Sequence, residues 1–138
     1  MEIDQLKIFS GLSSSAKAKV NSQAKFVSYK LGQPLCFRDI IPDKITIILE
    51  GEARLLAKEN NNILTVAKLS KGTITGLTSL LKAEPSELIS AASALKTIEI
   101  PDKLVLELYN DEPSFKDLCD NTLFPSEILC LTNQSLTL

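Results

Sequence analysis

Residues 72 to 87, GTITGLTSLLKAEPSE, hold the groups with the clearest chemical promise. Gly72 and Gly76 stand four apart, Thr75, Thr78 and Ser79 add hydroxyls, and Leu77 to Leu81 reads as a short apolar helix ahead of Pro85 and Ser86. A glycine turn that opens a helix can cradle an anion, because backbone N–H groups converge there and glycine permits close approach. An anion also calls for a cation, and the stretch contains no arginine. Lys82 could reach in from the helix, but Ala83 and Glu84 beside it read as a solvated loop and no second cation supports it. The hydroxyls, together with Thr73, Ser86 and Ser90, would suit an uncharged ligand; strand-forming threonines and helix-capping serines account for them more simply.

The rest of the chain excludes more chemistry than it offers. Its 138 residues contain no histidine, which removes histidine-based triads, the usual zinc and iron sites and axial haem histidines together. Cys36, Cys119 and Cys130 are odd in number and widely spaced, so they read as buried or idle thiols and not as a disulfide framework or a CxxC metal site. Glu50 and Glu52 flank Gly51; a catalytic carboxylate pair would have to share one desolvated face, and a tight turn with solvated charges is the simpler reading. Arg54 alternates with Ala53 and Leu55 and should face away from the core, while Arg38 sits near Asp39 and Asp43, where a local ion pair fits best. No catalytic residue and no metal site is assigned.

Charge and hydropathy narrow the partners. With a net charge of -2 and only two arginines, the chain shows no clustered cations with which to displace counterions, so direct nucleic-acid contact is not expected. Its longest apolar runs, such as ITIIL at 45 to 49, are too short to span a bilayer, and MEIDQLKIF lacks a signal-peptide pattern. A cytoplasmic segment without membrane insertion is expected.

At 44% hydrophobic and 23% charged, the chain has the balance of one domain with a core of its own. Two short helices are expected over residues 3 to 24, the second capped by Ser13 or Ser14. From Lys25 the pattern turns to short β-rich runs: KFVSY, LGQPLCF, KITIILEGEARLLAKE, ILTVAKL and SKGTITG. Asn60, Asn61 and Asn62 mark a hairpin turn, since asparagine tolerates the left-handed backbone. LISAASALKTIEIP supplies two more strands with a break near Ala92 to Ala94. Asp102 is placed to cap a helix over KLVLELYN, and Pro113 suits the first turn of another in EPSFKDLCDN. The expected fold class is therefore mainly β with flanking helices, a double-stranded β-helix or jelly roll with helices at both ends. Residues 1 to 122 form that domain, and 123 to 138 a C-terminal tail, linker or partner helix, expected to lead into a longer chain.

In this order the pieces resemble the cyclic-nucleotide-binding domain family, found in catabolite-activator-type regulators, kinase regulatory subunits and gated channels. The likeness runs over about residues 5 to 120: IFSGL at 8 to 12, KLGQPL at 30 to 35, IILEGEARL at 47 to 55, VAKLSKGTITGLTSLL at 66 to 81 and LKTIEIPDKLVLEL at 95 to 108. The resemblance implies a phosphate-binding cassette in which Gly72 and Gly76 keep the turn, Leu80 and Leu81 bury one helix face, an acid after the second glycine takes the ribose hydroxyl, and an arginine after a later proline pairs with the phosphate. This sequence has Leu77 in the place of the acid and Ser86, after Pro85, in the place of the arginine, with Glu87 adding negative charge.

Magnitudes give that departure its weight. A lost charged hydrogen bond to the ribose costs about 1.5 to 3 kcal/mol, and a lost phosphate–guanidinium pair roughly 2 to 5 kcal/mol. Together these can exceed a factor of about a thousand in affinity. The resemblance therefore implies a regulatory or interaction domain, the N-terminal part of a larger protein, that has lost cAMP or cGMP binding and acts through an attached effector domain or protein partner, with a homodimer as one arrangement. Two alternatives stand beside it. One is a sensor that binds a cyclic nucleotide or other metabolite through backbone amides and hydroxyls and controls a transporter or transcription effector. The other is a cupin-type jelly-roll enzyme, for which the missing histidines leave no metal ligands. The apolar stretch Leu123 to Leu131 is the expected interaction surface.

Overall fold

A computed structural model describes residues 6–37, 39–83 and 88–121. Strands β1 (Lys25–Tyr29), β2 (Pro34–Cys36), β3 (Lys44–Glu50), β4 (Ala53–Glu59), β5 (Asn62–Leu69), β6 (Ile74–Thr75), β7 (Ile89–Ala91) and β8 (Leu95–Pro101) build two four-stranded sheets. Their orders are β1-β8-β3-β6 and β2-β7-β4-β5, with every pairing antiparallel. Helices α1 (Ser14–Gln23), α2 (Leu77–Lys82), α3 (Asp102–Asp111) and α4 (113–121), with a 3-10 turn at Lys7–Phe9, complete the described residues. The expected jelly roll with flanking helices is what the chain adopts.

Two apolar layers explain why the central strands read as continuous hydrophobic runs. Ile45 and Ile47 of β3 and Ile98 and Ile100 of β8 pack with Phe9, Val20, Leu104, Leu108 and Phe115 of the helical layer. The alternate residues Ile48 and Leu95 face the other way and join Leu35, Leu55 and Ile89 between the sheets. A strand covered on both faces needs apolar residues at successive positions, hence KITIIL. Each fully buried side chain of this size contributes about 1.5 to 3 kcal/mol relative to exposure.

Local signals match the structure at several joints and differ from it at others. Ser13 is the N-cap of α1, its hydroxyl accepting from the Ala16 N–H, while Ser14 already lies inside the helix. Asn60 and Asn61 take positive φ angles of 47° and 69° at the β4–β5 turn, and Asn62 begins β5 instead of belonging to the turn. The break at Ala92 to Ala94 separates β7 from β8 as expected. Asp102 is not the cap of α3: Pro101, the last residue of β8, holds that position without a side-chain cap bond. Pro101, still paired with Lys44, is the last extended residue at ψ 149°, so Asp102 is already helical, and its carboxylate accepts from the Lys103 N–H at 2.7 Å and favours the N-terminal dipole. Of the first opening helix, the described residues hold a 3-10 turn at Lys7–Phe9. Leu31 and Gly32 belong to a turn and not to β2.

The helices close on one another across the chain. Phe9 stacks on Phe115 with centroids 6.3 Å apart, and Lys19 pairs with Glu107. The Ser13 N–H donates to Glu112 Oε1 at 2.7 Å, which holds the Glu112 carboxyl below its ordinary range. Such a carboxylate stabilises the fold above the unfolded glutamate pKa, and the contribution is lost as pH falls through the lowered folded value. Glu112→Gln is therefore expected to melt below the wild type at pH 7, with the gap closing as pH drops from about 4.5 towards 3. Thermal melts at both pH values check this; an equal gap at each would remove the ionised carboxylate as the cause.

Candidate functional site

The glycine segment is built onto β3 by its own backbone. The Gly72 N–H donates to the Ile48 carbonyl at 2.8 Å, and the Ile48 N–H returns a bond to the Thr73 carbonyl at 3.0 Å. Gly72 thus commits its amide to the sheet and offers none to an anion. Thr75, 1% exposed, turns its hydroxyl to the Thr46 carbonyl at 3.2 Å. Gly76 is the N-cap of α2 at φ 87°, a left-handed conformation that glycine adopts without strain. A side chain there would also meet the backbone, since a Cβ would lie 3.0 Å from the Lys44 carbonyl oxygen.

Leu77, the first residue of α2, decides the chemistry. It is 2% exposed and belongs to the same packed cluster as Ile45, Ile47 and Leu80. The position that the family resemblance reserves for an acid is a core position here. Leu80 shares that buried face, whereas Leu81 is only partly buried. Thr78 and Ser79 are buried at 2% and 1%, so among the described residues the hydroxyl-bearing side chains of α2 are packed inside. Lys82 is exposed at the far end of the helix. Ser86, like Pro85, Glu84 and Glu87, lies outside the described residues.

The other sequence candidates separate. Arg54 is exposed, as alternation requires. Glu50 is an exposed partner of Lys96 at 3.3 Å, and Gly51 turns at φ 99°, so Glu50 and Glu52 form no desolvated carboxylate pair. Cys36 and Cys119 are buried, and burial pushes the Cys119 thiol up to about 12, far from a reactive thiolate. Arg38, Cys130 and the Leu123 to Leu131 stretch lie outside the described residues, as does the division proposed at 122 and 123. Among the described residues, no group of three or more Cys, Asp or Glu is placed to hold a metal, and no helix is long and apolar enough to cross a membrane.

One polar cluster escaped the sequence reading. Tyr29 donates its hydroxyl to Glu99 Oε2 at 2.6 Å, and Lys44 Nζ lies 3.2 Å from the same oxygen. Burial first, and then the Glu99 carboxylate, hold the Tyr29 phenol protonated well above its usual range. Glu99 pairs in register with Thr46 and Lys25, and its neighbours Ile98 and Ile100 face the helices, so the cluster lies on the opposite face of the sheet. The available signal was the polar residue at the alternate position of an otherwise apolar strand.

Comparison with known proteins places the fold. No protein-family model matches the sequence and no curated protein matches it. Solved structures do match. The regulatory domain of Toxoplasma gondii PKA, crystallised with cAMP, aligns at a TM-score of 0.71 and 19% identity over 86% of this chain and 46% of that one. Thermus thermophilus catabolite activator protein aligns at 0.67 and 21% identity over 94% and 60%. The regulatory subunit of a cAMP-independent protein kinase A from Trypanosoma brucei, as a triple mutant bound to cAMP, aligns at 0.65 and 17% identity over 87% and 48%. The chain thus has the cyclic-nucleotide-binding-domain fold, and it spans about half the length of the two kinase regulatory chains.

Proposed function

We propose that this chain is a non-catalytic regulatory domain whose phosphate-binding cassette keeps its shape but no longer holds a cyclic nucleotide. The observation that carries the reading is Leu77: where the family resemblance calls for a ribose-binding acid, an apolar side chain packs into the core. Ser86 in the place of the arginine removes the cation as well. The Trypanosoma brucei relative in fold supports it by analogy, being described as cAMP-independent, while its cAMP-bound form carries three substitutions, one of them threonine to arginine. The domain acts on an attached effector or a partner protein in the cytoplasm, in keeping with the greater length of the solved chains that share its fold.

Calorimetric titration with cAMP and cGMP up to millimolar concentration tests this, with a thermal melt as the second readout. A ligand at about a hundred times its Kd would stabilise the fold by about 2.7 kcal/mol. No saturable heat and no shift are expected. Micromolar binding would overturn the reading and turn attention to Lys82. Ser86→Arg in the same titration is the gain-of-binding control, since it restores the missing charge to a cassette that still has its glycine turn.

A further inference from the structure

β1 is the edge strand of its sheet and, among the described residues, pairs with β8 alone. Such an edge offers backbone groups that another extended chain can complete. Phe26 stands opposite Ile98 on the face that the helices cover, yet it is 66% exposed where Ile98 is fully buried. It lines a groove of about 720 Å³ together with Leu49, Glu50, Lys71 and Lys96. A second depression of about 610 Å³ shares Ser28, Glu50, Gly51 and Lys96 with it and extends the groove to Lys30. Lys96 pairs with the exposed Glu50, while Lys30 and Lys71 make no ion pair among the described residues. In a chain of net charge -2, three lysines against the single acid Glu50 leave a local excess of positive charge around the exposed phenylalanine.

We infer that this groove docks an extended acidic segment of a partner protein. Each feature selects part of that chemistry: the edge strand an extended backbone, Phe26 and Leu49 a large apolar side chain, and the three lysines flanking carboxylates. The lysines also repel a second copy laid along the same edge, which leaves an acidic partner as the complementary occupant. The inference deepens the reading of a domain that works through protein contacts and rests on it in that respect.

Selection of random twelve-residue peptides on the purified domain tests it. Enriched peptides are expected to place Asp or Glu on both sides of a leucine or aromatic residue, to weaken with added salt, and to lose at least about tenfold in affinity on Lys71→Glu with Lys96→Glu and on Phe26→Ser. These side chains are exposed, so melting temperatures near the wild-type value confirm that the variants fold. No enrichment, enrichment of peptides without acids, affinity indifferent to the three substitutions, or binding to phosphatidylserine vesicles in place of peptides would each overturn the inference. Nucleotide titration of the same protein separates the two readings: cyclic-nucleotide binding would sink the degenerate cassette alone, and failed peptide selection the docking groove alone.

Discussion

Leu77→Ala is expected to lower the unfolding free energy by about 2 to 5 kcal/mol, the range for truncating a fully buried leucine. At about 3 to 4 °C per kcal/mol for a domain of this size, the melting temperature should fall by roughly 6 °C or more. Leu77→Glu, which places at this position the acid that the family resemblance implies, should cost more still. Leu77 is 2% exposed among Ile45, Ile47 and Leu80, and a carboxylate there would have to be neutralised or drag α2 off the sheet. The pair of variants therefore separates two views of the position. If the cassette were merely missing a ligand group, Leu77→Glu would be tolerated and would tighten cAMP; a variant that melts close to the wild type would sink the claim that this is a core position.

Phe115→Ala should bring a loss of about 3 to 5 kcal/mol, the usual cost of removing a buried aromatic ring. Phe115 is fully buried, stacks on Phe9 and packs with Leu104, Leu108 and Cys119. The approach of the N-terminal segment to α4 is close, since a Cβ on Gly11 would lie 2.6 Å from Ser114 Oγ. The loss should thus fall unevenly: hydrogen exchange is expected to accelerate first in α4 and the Lys7–Phe9 turn, while β3 and β8, paired over most of their length, keep their protection. Uniform acceleration across helices and sheets would show that the helical layer and the roll open as one unit.

Much of this was legible in short stretches of sequence. Alternation and turn residues placed the strands, because a strand's period of two and the backbone freedom of Asn60, Asn61 and Gly51 are properties of neighbouring residues. The apolar set Leu104, Val105, Leu108, Phe115, Leu118 and Cys119 was likewise readable as a layer to cover the roll or a partner; Leu118 is only partly buried, and the other five are buried. The helix start was displaced by one residue for a non-local reason: the pairing of Pro101 with Lys44 joins residues far apart in the chain and keeps Pro101 extended, so Asp102 is the first helical residue and not the cap. The Tyr29 to Glu99 bond, across a separation of 70 residues, was invisible for the same reason.

By itself, then, the sequence determined the order of strands and helices, the absence of histidine, and the presence of Leu77 and Ser86 where the family resemblance implies an acid and an arginine. Those are matters of residue type and local period. Only the tertiary structure decided that Leu77 turns into the core, that the Gly72 amide is tied to β3, and that Phe26 is left exposed beside lysines at an open edge. Each of these depends on which face of an element its distant neighbours cover, and that is settled by packing and not by the local chain.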